Sequence, residues 1–133
     1  MLAGDPTLRN ASTGSLKICH RCLSKSERVS GGNGAPCDSS DTAAFPSKPC
    51  AGGIRATVIY PSCWDGRNLD SPDHQSHVAY ADGAALAGDK CPTTHPVRIP
   101  QLMLEIMYDT SGFADSKYYQ SGKQPLVYSF GDP

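Results

Sequence analysis

The sequence has no long apolar run, no basic stripe and no helical periodicity, and each absence removes a class of protein. Nothing in its 133 residues approaches the roughly 20 consecutive apolar residues of a membrane-spanning helix. No membrane role is expected. Twelve Lys and Arg against thirteen Asp and Glu leave a formal charge of −1. The basic residues are scattered, so no surface should neutralise a row of phosphates, which argues against nucleic acid and against anionic lipid. The opening Met1-Leu2-Ala3-Gly4-Asp5-Pro6 lacks a basic region followed by an apolar one. For a secreted chain, the expectation is then that the numbering begins inside a longer precursor.

What is present is punctuation. Thirteen glycines, eleven prolines and 38% hydrophobic residues describe a loop-rich globular chain long enough for a real core, and not a disordered one. Six cysteines, Cys19, Cys22, Cys37, Cys50, Cys63 and Cys91, form an even set, as expected of a disulfide framework in an oxidising compartment. The sequon Asn10-Ala11-Ser12 points the same way, with Asn10 as the glycosylation site. Cys19-His20-Arg21-Cys22 has the spacing of a zinc knuckle. No second closely spaced pair completes it, and disulfides account for all six cysteines.

Residues 1–53 hold no apolar run and read as irregular, Cys-rich structure tied down by bridges, with His20 in a loop. Residues 54–133 are β-rich. Ile54 to Tyr60 alternates Ile54, Ala56, Val58 and Tyr60 on one face before Pro61. Gln101 to Tyr108 sets Leu102, Leu104, Ile106 and Tyr108 against Met103, Glu105 and Met107. Glu105 reads as a solvated edge position. Leu126 to Phe130 repeats the alternation, and Val78-Ala79-Tyr80 suggests a shorter strand. The expected fold is an all-β, antiparallel, sandwich-like single domain over 1–133, disulfide-bridged, with long loops.

One loop stands out. From Cys63-Trp64-Asp65-Gly66 to His74-Gln75-Ser76-His77 it carries three aspartates and two histidines between two strands. Pairing Cys63 with Cys91 would close the 27 residues between them, worth roughly 3–4 kcal/mol on the chain-entropy view. Neutral imidazole and carboxylate are the ligands of a divalent metal ion, with His74, His77 and His95 as candidates and Asp70 beside them. The same groups suit acid/base work, with Asp70 or Asp73 orienting His74 or His77. They equally suit Asx-turns, in which the aspartates bind only backbone. Trp64 and Tyr80 could stack a sugar or simply pack in the core.

Met1 to Pro6, Gly53-Ile54-Arg55-Ala56, Pro61 to Gly66, Leu69 to His77 and Cys91 to Pro96, in that order, resemble the secreted fungal domain-of-unknown-function family numbered nineteen-ninety-six. The likeness runs from end to end, and it implies location better than chemistry. It implies a secreted, extracellular protein of the kind sometimes joined to modules that bind cell-wall carbohydrate. It also implies the pairs Cys22–Cys50 and Cys63–Cys91, with Cys19–Cys37 as an added bridge. Ala81 departs from the proline usual in the family, and elements common upstream and downstream of this stretch are absent. The chain therefore resembles the middle-to-C-terminal part of a larger domain. Exposed strand edges, or a partner such as the remaining part of that domain or a second chain, are expected.

Two functions follow. One is a carbohydrate-active hydrolase or lyase on cell-wall polysaccharide, using Asp70, Asp73, His74 and His77 for acid/base work or a metal, with Trp64 and Tyr80 against the substrate. The alternative is a non-catalytic structural or glycan-binding wall module.

Overall fold

The structure, a computed structural model, describes residues 3, 17–30, 37–82, 90–122 and 125–126. The elements are β1 (Ile18–Leu23), α1 (Lys25–Ser30), β2 (Gly53–Ile59), β3 (Cys63–Trp64), β4 (Val78–Ala79), β5 (Val97–Arg98), β6 (Met103–Tyr108) and short 3-10 turns at Ser111–Phe113 and Ser116–Gly122. Strands form two three-stranded sheets, in the orders β1-β2-β6 and β4-β3-β5. β3 pairs antiparallel with both of its neighbours. β2 and β6 also run antiparallel, since the Tyr60 N–H donates to the Leu102 carbonyl at one end while Gly53 lies against the Tyr108 carbonyl at the other. The fold is all-β with little helix and three disulfides.

The chain divides into two compact units, one of Met1–Gly4 and Val58–Leu104, the other of Asp5–Thr57 and Glu105–Pro133. In the second, β1 occupies part of the stretch expected to be irregular, and His20 lies within this strand, buried, instead of in a loop. Its ring meets Phe45 at 4.6 Å and its Nδ1 lies 3.1 Å from the Ala43 carbonyl. Burial pushes the His20 pKa down. Successive strand residues point to opposite faces, so Cys19 and Cys22 diverge. This geometry serves two separate bridges, Cys19–Cys37 and Cys22–Cys50, and not one tetrahedral ion. Ser24 then caps α1: its Oγ accepts the Glu27 N–H at 3.2 Å and its own N–H donates to Glu27 Oε2 at 2.8 Å.

β2, the middle strand, is buried on both faces, with Arg55 and Thr57 as covered as Ile54 and Ala56. Gly53 begins it at φ +100, where an added Cβ would meet the Tyr108 carbonyl oxygen at 2.5 Å. Ile54 packs with Phe45 and Cys50, and Cys22 and Leu126 close over them. The buried charges have partners. Arg21 donates to both carboxylate oxygens of Asp41 at 2.6 and 3.1 Å and reaches Asp38 at 2.7 Å. Arg55 lies 3.9 Å from Asp41 and 3.4 Å from Glu105.

β6 is the end strand of its sheet among the described residues, and Met103, Leu104, Ile106, Met107 and Tyr108 are all exposed. The strand expected at 126–130 lies, but for Leu126, outside the described residues, as does Asn10 of the sequon. No helix among the described residues is long and apolar enough to cross a membrane.

Candidate functional site

The histidine loop belongs to the unit that holds β3, β4 and β5. β3 is two residues long and central: Cys63 faces Ala79 and Arg98, and Trp64 faces Val78 and Val97. Cys63–Cys91 adds a covalent tie at the same point, Cα to Cα 5.5 Å. Residues 65–77 thus form the long loop of a hairpin closed by β3 and β4, with the Asp65 N–H donating to the His77 carbonyl at 3.1 Å just inside the mouth.

Two aspartates shape this loop. Asp65 Oδ1 accepts the N–H groups of Arg67 and Asn68 at 2.9 and 3.0 Å, and its Oδ2 accepts the Asn68 side-chain amide at 2.7 Å. These bonds hold the Asp65 pKa down at about 2. Gly66 sits at φ +78 within the turn. Trp64 Nε1 donates to the Asn68 carbonyl at 2.6 Å, which lashes the turn to β3. Asp73 repeats the device. Its Oδ1 accepts the N–H groups of Gln75 and Ser76 at 3.0 and 2.9 Å and the hydroxyls of Ser71 and Ser76 at 2.7 and 2.9 Å. Four donors on one oxygen favour the charged form and push the Asp73 pKa far down. Asp73 is therefore a turn-building carboxylate with little basicity to offer.

Asp70 is used differently. It holds His74, with Nδ1 2.9 Å from Oδ1 and 2.8 Å from Oδ2, and the two side chains are 55% and 58% exposed. The hydrogen bond from His74 keeps the Asp70 pKa low. His74 closes the Ser71-Pro72-Asp73-His74 turn through its N–H to the Ser71 carbonyl at 2.8 Å. It does so at φ +55, in the left-handed region that is uncommon for residues other than glycine. No hydrogen bond among the described residues ends on its Nε2.

His77 is buried where His74 is exposed. Its Nδ1 lies 2.8 Å from Ser71 Oγ, its N–H donates to the same oxygen at 3.3 Å, and Asp70 Oδ1 stands 3.9 Å from Nδ1. Ser71 is a site residue that the aspartates and histidines overshadowed in the sequence; only its place before Pro72-Asp73 in a turn motif marked it. His95 comes to the loop as expected, carried by the Cys63–Cys91 bridge. Both its ring nitrogens have partners, Nδ1 at 2.9 Å from Thr94 Oγ1 and Nε2 at 3.0 Å from the Ser76 carbonyl. It fastens the 92–95 turn to the loop.

The expected ligand trio of His74, His77 and His95 does not converge. Among the described residues no three His, Cys, Asp or Glu side chains stand where they could hold one metal ion. Of the expected sugar platform, Tyr80 is half-buried, with its hydroxyl donating to the Ile59 carbonyl at 2.7 Å and its pKa pushed up by burial. Trp64 lies at the loop mouth, partly exposed, with its indole N–H engaged in the turn. What the arrangement offers chemically is two imidazoles, each anchored through Nδ1.

No curated protein and no solved structure matches the chain. A family profile matches all of it: residues 1–133 correspond to the family described as a domain of unknown function, DUF1996, and the chain belongs to that family.

Proposed function

We propose that this is a secreted, extracellular domain that acts on cell-wall polysaccharide through the histidine loop. His74 is the proton-transfer group and Asp70 its orienting carboxylate. The observation that carries the reading is the Asp70–His74 pair: an imidazole held at 2.8 Å from a carboxylate, at φ +55, with more than half of each side chain exposed. Backbone strain of this kind persists where the surroundings over-determine it and concentrates at functional sites. A carboxylate on Nδ1 fixes the tautomer and stabilises the imidazolium that forms when Nε2 takes a proton from a sugar or its attacking water. The three disulfides support an oxidising, extracellular setting. The polysaccharide class rests on the likeness to secreted domains that accompany wall-binding modules.

A second reading is a glycan-binding module without catalysis. Asp65 and Asp73 favour it, because both carboxylates are taken up by loop backbone and hydroxyls. The two readings separate in one experiment. The wild-type chain and a His74→Ala, His77→Ala double variant are incubated with insoluble wall polysaccharides, and soluble products and bound protein are both measured. Products from the wild type that fall by at least about a hundredfold in the double variant support catalysis. Binding without products supports the module. Neither binding nor products rejects both.

A further inference from the structure

The Asp70–His74 pair leaves a second imidazole unexplained. His77 is 5% exposed, and a buried histidine ordinarily has both ring nitrogens satisfied. Its Nδ1 lies 2.8 Å from Ser71 Oγ. The direction of that bond follows from the next one. The Ser71 hydroxyl donates its single proton to Asp73 Oδ1 at 2.7 Å, so Ser71 Oγ can only accept from the ring, and the ring must carry its proton on Nδ1. Asp73 in turn is held ionised by the N–H groups of Gln75 and Ser76 and the Ser76 hydroxyl, so it does not take the serine proton away. Carboxylate, hydroxyl and imidazole therefore form a chain with one sense, and it ends on an Nε2 lone pair.

Among the described residues no hydrogen bond ends on His77 Nε2. Asp70, which grips His74, is only 3.9 Å from His77 Nδ1, so the two rings share one neighbourhood with opposite kinds of anchor. His74 has a carboxylate on Nδ1, and His77 has a neutral hydroxyl there.

We propose that Ser71 is a positioning residue that, backed by Asp73, fixes His77 as the Nδ1–H tautomer and so makes His77 Nε2 a second proton-accepting atom of the loop, complementary to His74. This deepens the reading of the same loop, but its first test does not depend on any substrate. In ¹⁵N NMR of the histidine-labelled chain, His77 should show a protonated Nδ1 and a bare Nε2 near neutral pH. Ser71→Ala should move His77 toward the Nε2–H tautomer, and Ser71→Thr, which keeps the hydroxyl, should restore Nδ1–H. An Nε2–H His77 in the wild type overturns the proposal. So does an unchanged Nδ1–H in a folded Ser71→Ala chain. Should Ser71→Ala fail to fold, the wild-type and Ser71→Thr tautomers decide.

The second arm reads catalysis. Where the wild type releases products from polysaccharide, Ser71→Ala should lower the rate at least tenfold with substrate binding unchanged, and Ser71→Thr should recover it. A Ser71→Ala chain with the altered tautomer and full activity shows a hydrogen bond that only supports the loop, and ends the positioning role. The tautomer result standing without any substrate turnover would reject the catalytic reading of the loop and leave the chain of hydrogen bonds intact.

Discussion

The two units place the same residue types in opposite circumstances. Around β1 and β2, Arg21 and Arg55 are buried with Asp41, whose side chain has no exposed surface. In the loop after β3, Asp70 and His74 form their pair with more than half of each side chain in water. A buried pair contributes through what would be left uncompensated if one partner went, and it cannot exchange protons with a ligand. An exposed pair adds little to stability but keeps its chemistry accessible. The difference gives the first cluster to holding the fold and leaves the second as the seat of the proposed function.

The largest expected effect comes from the buried cluster. Asp41→Ala leaves two guanidinium groups without their shared carboxylate and should cost roughly 3–5 kcal/mol, a fall in Tm of about 10 °C or more by scanning calorimetry. An equal cost for Asp70→Ala would erase the contrast between the clusters. Next is the staple of the loop. Cys63→Ser with Cys91→Ser should lose about 3–4 kcal/mol and raise amide hydrogen exchange across 65–77, while exchange in β1 stays as it was.

A pH scan sharpens the comparison further. His20 is held below its ordinary 6.5 by burial. The unfolded chain takes up this proton first, so stability is full above about pH 6.5 and is lost as the pH falls toward the lower folded value. His20→Phe, which keeps a ring against Phe45, should flatten that slope in urea titrations. A slope unchanged by the substitution would place the titrating group elsewhere. The smallest effect is expected at the turn. Asn68→Ala removes one side-chain amide hydrogen bond to the half-buried Asp65 and should cost only about 0.5–1 kcal/mol, measured by the same titrations.

Much of the scaffold was legible before the structure. Alternation found β2, β4 and β6, and the Asx chemistry of Asp65 and Asp73 follows from Asp-Gly and Ser-Pro-Asp. β1 was not, because Cys19-His20-Arg21-Cys22 carries no apolar alternation; its strand is enforced by two bridges and by buried ion pairs that only the fold brings together. α1 spans six residues, too few for a period, although Ser24 and Glu27 stand at capping-box spacing. β3 and β5 are two residues each and exist through pairing. In the candidate site, composition singled out the loop but could not distribute its hydrogen bonds. Only the turn geometry sends Asp70 to His74, Ser71 to His77 and the His95 ring to a carbonyl.

The most direct test of the loop's role is Asp70→Asn, which keeps the shape and removes the charge that orients His74. Release of soluble sugar from wall polysaccharide by this variant should fall at least about a hundredfold below wild type, with the fold and the buried Asp41 cluster unaffected. Release at the wild-type rate would contradict the assignment of proton transfer to the Asp70–His74 pair.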